Sequence, residues 1–394
     1  MRPYSVCVAS ARHIGRLLAV LLCAALAACA AAPPASLPPI FNDSDFAPAA
    51  AIDAGQVFAL SDAMRQYVQT DVRHAARDGN PRVALYEALY DKSRLKLEYD
   101  AAMTRNARET FEARSGNCLS LVIMTAALAH ELGLQVRYQE VLGEASWSRS
   151  GDMYFVAGHV NLVLGQRLGD NPNDYDAKGM MVIDFLPSGD VAGYRTREIS
   201  EATVLAMYMN NRAAETMSEG QLDQAYWWAR AALLQDPSFS GAYNTLGVIQ
   251  FRHGDLAQAR RTLAHALLRA PDNTVLLSNL AQVLEASGLP DEALPLRRRL
   301  LALQPQPPFH YFNLGKAAML QNDYVQAIRL FSREIARDPY YHEFHFWLAQ
   351  AYARLGQLAQ ADRQLELAMD NSTTRSEHGM YAAKLQRLRT LSTH

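Results

Sequence analysis

The C-terminal half of the chain repeats with a period of 34 residues, and this period constrains the fold more than any other feature of the sequence. A proline ends a helix, a glycine or asparagine permits a tight turn, and small residues let two paired helices approach closely. The period therefore predicts stacked helix pairs. The repeated positions are Pro237, Pro271, Pro305 and Pro339; Ala225, Ala259, Ala293, Ala327 and Ala361; and Gly220, Gly254, Gly288 and Gly356, with Asn322 in the missing glycine position.

The repeated unit resembles the tetratricopeptide repeat, a helix-turn-helix of 34 residues. The resemblance implies an all-α solenoid of four or five units within residues 201–372. An amphipathic helix within residues 373–394 would cap the apolar face of the last unit. The first helix of successive units is marked by Leu246-Gly247, Leu280-Ala281, Leu314-Gly315 and Leu348-Ala349.

Three asparagines share one position on the first helices of these units: Asn211, Asn279 and Asn313. In some repeat proteins of this family that position faces a groove and binds a peptide backbone, and it also serves helix packing. The resemblance therefore implies a protein or peptide partner, with these three asparagines as candidate groove residues.

The N-terminus has the pattern of a secretory signal. Arg2, Arg12 and Arg16 precede an apolar stretch, residues 17–26, that is too short to span a bilayer. The sequence "LAAC" that ends it resembles the bacterial lipobox. The resemblance implies a signal peptide at residues 1–28 and a lipid on Cys29, with an ordinary signal peptide as the alternative.

This interpretation predicts a lipid-anchored protein of the bacterial cell envelope. Ala30 rather than Asp follows Cys29, which by analogy with lipoproteins favours the outer membrane, facing the periplasm. Residues 29–50 are rich in Pro and Ala, so we expect a flexible tether between the lipid and the fold.

Cysteine usage and charge exclude several classes of function. Cleavage removes Cys7 and Cys23 and lipidation uses Cys29, so Cys118 would remain as the one free thiol, without a disulfide partner or a C-x-x-C metal site. The formal charge is −2, or −5 once the three N-terminal arginines are removed, and no Lys/Arg block stands out. We therefore expect no nucleic-acid partner, no metal and no cofactor.

Residues 51–200 do not follow the repeat and predict a separate α+β domain. Apolar spacing near 3.6 indicates helices at residues 56–78, 81–91 and 117–132, the last ending at Gly133. Runs rich in β-branched and aromatic residues predict strands at 134–142, 154–164 and 180–187. Helices followed by antiparallel strands are typical of an α+β domain.

Three polar residues of this domain could form a site for nucleophilic catalysis. Cys118 opens the helix at residues 117–132, where the helix terminus stabilises an anion. His159 lies within the second strand and could act as its base, and Asp184 lies at the end of the next strand, where it could orient the imidazole. The alternatives are an inert core cysteine, a satisfied core histidine and a turn or cap aspartate.

The order of these residues resembles that of the transglutaminase-like, papain-like cysteine superfamily. "R-x-G-N-C" opens a helix, "GHVN" lies on a strand and "IDF" on the next strand. The resemblance covers residues 100–185 and implies that Cys118 is the nucleophile, His159 the base and acid, and Asp184 the orienting group. The chain departs from the family where many members have His-Ala-Trp and Asp-Pro, and those positions shape the acyl pocket.

Two functional hypotheses follow from the sequence. The first is an envelope-anchored thiol acyl-transferase or hydrolase that acts on peptide or amide bonds, with the repeats recruiting a substrate or partner. Its oxyanion hole would use the backbone N–H of Cys118 and a side chain, for which Asn117 is the candidate, although Asn117 is equally well placed to be the helix N-cap. The second is a non-catalytic scaffold lipoprotein that organises an envelope complex through its repeats.

Overall fold

The structure is a computed structural model, and it describes residues 40–76, 80–90, 95–150, 153–167, 180–185 and 195–392. The predicted signal peptide, the predicted lipidation site at Cys29 and the first part of the predicted tether lie outside these ranges. Within the described ranges, no helix combines the length and the apolar character needed to cross a bilayer.

The N-terminal part of the fold places short helices before a small sheet. Helix α1 (Asp62–Tyr67) continues through a π-helical turn (Val68–Val72) into α2 (Arg73–Ala75), and α3 spans Pro81–Tyr90. Helix α4 (Ala107–Ala113) begins with a capping box between Asn106 and Glu109. The apolar helix α5 (Cys118–Glu131) is buried along most of its length and packs against the strands that follow it, which confirms the helix expected there.

A pair of very short strands precedes α5 and was absent from the sequence prediction. Strands β1 (Glu98–Tyr99) and β2 (Ser115–Gly116) are parallel, with Tyr99 paired to Gly116. A pair of two-residue strands carries too few residues to show a periodic pattern. It matters for the site because β2 ends two residues before Cys118.

Four further strands form an antiparallel sheet. They are β3 (Leu134–Ser150), β4 (Met153–Arg167), β5 (Met181–Ile183) and β6 (Arg195–Ile199), and their order in the sheet is β5-β4-β3-β6. The three predicted strands are present and pair antiparallel as expected. Strand β6 was not predicted, because its sequence "RTREI" is mostly charged and exposed, so it lacks an apolar alternation.

The C-terminal half is a solenoid of five helix pairs followed by a last helix. The pairs are α6 (Glu201–Ser218) and α7 (Leu222–Gln235); α8 (Ser240–His253) and α9 (Leu256–Arg269); α10 (Thr274–Ala286) and α11 (Pro290–Leu303); α12 (His310–Leu320) and α13 (Tyr324–Ile335); and α14 (His342–Arg354) and α15 (Leu358–Asp370). Helix α16 (Arg375–Ser392) covers the last pair, where Leu385 packs with Ala349 and Leu365.

The recurring small residues act as the sequence predicts. A Cβ on Gly247 would lie 2.6 Å from the side chain of Leu263, and one on Gly315 would lie 2.5 Å from that of Phe331. The paired helices therefore approach closely at these glycines. The turn residues at the repeated glycine position all have positive φ, including Asn322 at 59°, where a non-glycine residue is uncommon.

The predicted tether differs from the structure in its last part. Residues 41–47 are not free of the fold but lie against helix α7 and its neighbour α8. The ring of Phe46 stacks on Tyr226 with centroids 3.9 Å apart, and Asp43 accepts a hydrogen bond from Arg230 at 2.9 Å. Phe46 and Asp43 in "FNDSDFA" provide these contacts, and composition alone did not separate them from the surrounding Pro/Ala-rich sequence.

Candidate functional site

Cys118 is the first residue of α5, and the residue before it is the helix cap. The Asn117 Oδ1 accepts hydrogen bonds from the Ser120 N–H at 2.9 Å and the Ser120 hydroxyl at 2.8 Å, and its Nδ2 donates to the Thr104 hydroxyl at 2.9 Å. Of the two roles that the sequence allowed for Asn117, the structure shows the N-cap. This cap fixes the first turn of α5 and with it the backbone of Cys118.

His159 and Asp184 lie in direct contact. The His159 Nε2 lies 2.8 Å from Asp184 Oδ1 and 2.9 Å from Oδ2, and both side chains are 11% exposed. The sheet register explains the contact. Leu162 on β4 pairs with Ile183 on β5, so the chain beyond β5 passes the part of β4 that carries His159.

Asn161 is a further partner of the carboxylate. Its Nδ2 donates to Asp184 Oδ2 at 3.0 Å, and the residue is buried. Asn161 lies two positions after His159 on β4, and side chains two positions apart share one face of a strand. The polar-apolar-polar alternation in "HVN" therefore indicates that Asn161 lies on the same face of the strand as His159. The sequence analysis did not assign Asn161 a role.

The electrostatic environment of His159 favours the imidazolium. Burial lowers its pKa, but hydrogen bonds to the Asp184 carboxylate and the Cys118 thiol outweigh burial and raise the pKa to about 9. At neutral pH the ring is therefore protonated. The His159 imidazole therefore contacts the Asp184 carboxylate and also interacts with the Cys118 thiol.

Two tyrosines complete the surroundings of this group, and no local sequence pattern identified either of them. The Tyr90 hydroxyl on α3 donates to the backbone carbonyl of Asp184. Tyr99 on β1 shares a hydrogen bond with the backbone of Cys118, and burial together with the nearby thiol raises the pKa of its phenol. Both contacts join segments that are separate in the sequence.

The first repeat helix, α6, is attached to the loop that supports Asn117. Thr104 is 1% exposed, its hydroxyl accepts from Asn211 Nδ2 at 3.2 Å, and its N–H donates to the Glu215 Oε1 at 2.6 Å. The same hydroxyl accepts from Asn117, so one threonine joins α6 to the start of α5.

The three predicted groove asparagines have different surroundings. Asn211 contacts Thr104, as described above. Asn279 donates from Nδ2 to the Oδ1 of Asn244 at 2.7 Å, which joins two consecutive units, and Asn313 is exposed. The structure does not bring the three together in one shared network.

No metal site was predicted, and the part of the chain that the structure describes contains no group of three or more His, Cys, Asp or Glu side chains arranged to hold a metal ion.

Comparison with known proteins supports the prediction of tetratricopeptide repeats. The sequence profile of the tetratricopeptide repeat matches residues 251–314 and 318–385, so tetratricopeptide repeats are present in this half of the chain. Such repeats generally bind protein or peptide partners, which indicates an interaction or scaffold role for the array. No curated protein matches the chain.

Solved structures that resemble part of the chain include two that are described as TPR proteins. YrrB, a TPR protein with an unusual peptide-binding site, is 23% identical, with 45% of this chain and 92% of YrrB covered and a TM-score of 0.25. A thermophilic TPR protein of Thermus thermophilus is 18% identical, with 46% and 99% covered and a TM-score of 0.29. MamA is also 18% identical, with 44% and 93% covered and a TM-score of 0.25.

Proposed function

We propose that the chain is a thiol-dependent acyl-transferase or hydrolase that acts on peptide or amide bonds and that its repeats recruit a protein substrate or partner. The observation that carries the proposal is the contact of His159 with Asp184 at 2.8 Å, next to a thiol at the start of a buried helix. A nucleophile, a base and an orienting group in hydrogen-bond reach are what covalent acyl transfer needs. The transglutaminase-like family implied by the sequence motifs remains part of this proposal.

The proposed reaction assigns one step to each residue. The Cys118 thiolate attacks the carbonyl carbon of the amide, and the His159 imidazolium gives its proton to the departing amine, which leaves a thioester on the enzyme. Water or a second amine then attacks the thioester, with the neutral imidazole taking the proton of the attacking group. Asp184 stays ionised and holds the ring, as the carboxylate does in other triads.

The oxyanion that forms in the first step needs at least one donor. The backbone N–H of Cys118 lies at a helix N-terminus, where such groups stabilise negative charge, and an oxyanion bound there would replace its hydrogen bond with Tyr99. Asn117 was a candidate for the second donor, but its side chain serves as the helix cap and as a donor to Thr104. We therefore leave Asn117 out of the proposed oxyanion hole.

The second candidate function is a scaffold without catalysis. It is favoured by the repeats, since they occupy about half of the chain and indicate protein binding. In this case the thiol group would be a structural remnant. The two candidates differ in one measurable property, which is whether His159 controls the reactivity of Cys118.

The test is the rate at which iodoacetamide alkylates Cys118 as a function of pH. In the proposed enzyme, His159→Ala removes both the proton acceptor and the charge partner, so we expect alkylation near pH 6 to slow by about tenfold or more. Asp184→Asn leaves the imidazole in place and should slow alkylation less. A suitable control is His130→Ala, because His130 is an exposed residue at the other end of α5.

One result would favour the scaffold hypothesis over the catalytic one. If wild type and His159→Ala show the same pH profile, the thiol is not activated and the catalytic proposal is wrong. Cys118→Ser provides the blank, because labelling that persists in this variant does not report on the site.

We also propose, from the sequence alone, that the chain is lipid-anchored in the bacterial envelope through Cys29. The expected result is that the protein partitions into a detergent phase and that Cys29→Ser releases it. Wild-type protein that stays in the aqueous phase would contradict the proposal.

A further inference from the structure

Three aromatic side chains form a partly exposed surface beside the candidate site, and we call Tyr86, Tyr90 and Phe185 the aromatic shelf. The rings of Tyr86 and Tyr90 are 4.5 Å apart between centroids. Those of Tyr90 and Phe185 are 5.8 Å apart and nearly parallel, with an interplanar angle of 10°. Helix α3 provides the two tyrosines, and the segment after β5 provides the phenylalanine.

The two tyrosines of the shelf are exposed, and further exposed apolar side chains lie on α3 and β5. Tyr86 is 40% exposed and Tyr90 is 41% exposed, although burial of large aromatic side chains is favourable. Val83, which is 40% exposed, lies one turn before Tyr86 on the same face of α3, and Val182 on β5 is 51% exposed. Exposed apolar side chains beside a candidate active site are typical of a binding surface.

The shelf is directly attached to the orienting aspartate. The Tyr90 hydroxyl donates to the backbone carbonyl of Asp184, and Phe185 is the next residue in the chain. The Asp184 side chain in turn holds His159. Adjacent residues of an extended peptide are about 3.3–3.6 Å apart, so one or two residues of a substrate span up to about 7 Å.

We propose that the aromatic shelf is the subsite for a bulky apolar side chain of a peptide substrate, one or two residues from the amide bond that reacts. The inference rests on the proposed function and names its substrate class. The rings and the valines present apolar faces, which match an aromatic or aliphatic side chain. Among the described strands β5 lies at an edge of the sheet, so an extended peptide could lie alongside it.

The test compares peptide chloromethyl ketones that differ only in one side chain. The probes are N-acetyl-Phe-Gly, N-acetyl-Gly-Phe and N-acetyl-Gly-Gly chloromethyl ketone, and the readout is the ratio of their rates of Cys118 alkylation. We expect one of the two Phe probes to react about tenfold faster than the Gly-Gly probe. Tyr86→Ala should reduce that ratio by about three- to tenfold, because it removes an exposed ring without touching Asp184.

Two further variants make the result specific. Tyr90→Phe keeps the ring but removes the hydrogen bond to Asp184, so the ratio should stay high. Tyr340→Ala removes a tyrosine that is 56% exposed in the repeat array, and it should change neither the ratio nor the rates. Equal rates for all three probes on wild type, or a ratio that Tyr86→Ala leaves unchanged, would overturn the inference.

Failure of the inference and failure of the proposed function can be distinguished. The proposed function is tested by the effect of His159→Ala on iodoacetamide alkylation, which involves no peptide side chain. If Cys118 reacts with none of the probes, saturation-transfer NMR of the Cys118→Ala chain with N-acetyl-Phe-Gly-amide gives a second measurement. Absence of transfer to the phenyl ring would overturn the peptide subsite.

Discussion

The contacts inside the repeat array and those inside the thiol site join residues at different separations in the sequence. Within a repeat unit, Gly247 meets Leu263 on the next helix, and the same contact recurs between Gly315 and Phe331 two periods later. In the thiol site, Asp184 bonds His159, which is 25 residues away. Thr104, which bonds Asn117, is itself bonded by Asn211, which is 107 residues away. The array is built from local modules, whereas the site depends on long-range contacts.

The two regions are nevertheless joined at both ends of the array. At its start, Asn211 and Glu215 on α6 bond Thr104. At its end, the Ala101 N–H donates to the Thr373 carbonyl at 2.8 Å, and Arg375 forms a salt bridge with Glu98 at 2.7 Å. The segment from β1 to the start of α4 therefore contacts the first helix of the solenoid as well as the start of α16 and the residues just before it. The following predictions test how far the local and long-range regions depend on each other.

Deletion of α16 is expected to have the largest effect. Removing residues 375–394 exposes the apolar face of α14 and α15, where Tyr381 and Leu385 are now buried. Loss of two such side chains costs about 3–6 kcal/mol in the free energy of unfolding. Urea unfolding of the shortened chain would measure it. Arg375→Ala is the control, since it breaks only the exposed salt bridge and should cost less than about 1 kcal/mol.

Retention of the full unfolding free energy after the deletion would show that another segment covers the array. A large effect of the control alone would instead mean that the contact of Arg375 with Glu98 carries the stability, and that the array depends on the thiol region more than its local packing suggests.

A matched pair of glycine substitutions tests local packing. Gly315→Ala places a Cβ against Phe331, so we expect a loss of about 1–3 kcal/mol in unfolding free energy. Gly379→Ala on α16 meets nothing within 4 Å and should gain about 0.5–1 kcal/mol, because alanine is the better helix former. Thermal or urea unfolding of both variants gives the comparison. Equal effects would mean that the close approach at Gly315 is not a constraint.

The pH dependence of stability tests the long-range site. The folded pKa of His159, about 9, exceeds the unfolded value of about 6.5, so its contribution is fully present below pH 6.5 and is lost as the pH rises through 9. We expect the stability difference between wild type and His159→Gln to fall by roughly 3 kcal/mol over that interval. Urea unfolding at several pH values measures it. A difference that is constant with pH would contradict the ion pair.

The sequence predicted the array more completely than the site, for a physical reason. Each repeat encodes the same contacts again, so Gly254, Asn322 and their equivalents could be recognised by spacing alone. The site could be predicted as far as Cys118, His159 and Asp184, because each lies at a definite place on a helix or strand. Thr104 and Tyr90 could not be predicted, since their roles depend on which distant segment packs against them. The contacts of residues 41–47 with α7 were missed for the same reason.

The smallest effect is expected for Asn211→Ala, which tests whether the repeat array influences the reactivity of Cys118. Asn211 donates to the same Thr104 hydroxyl as Asn117, the cap of the helix that begins at Cys118. Asn211→Ala should therefore cost about 1 kcal/mol and slow Cys118 alkylation by a few-fold, through a looser helix start. Asn279→Ala removes a comparable bond, to Asn244, and should destabilise the chain similarly without changing alkylation. Equal alkylation rates in the two variants would mean that the repeats support the fold but do not position the thiol.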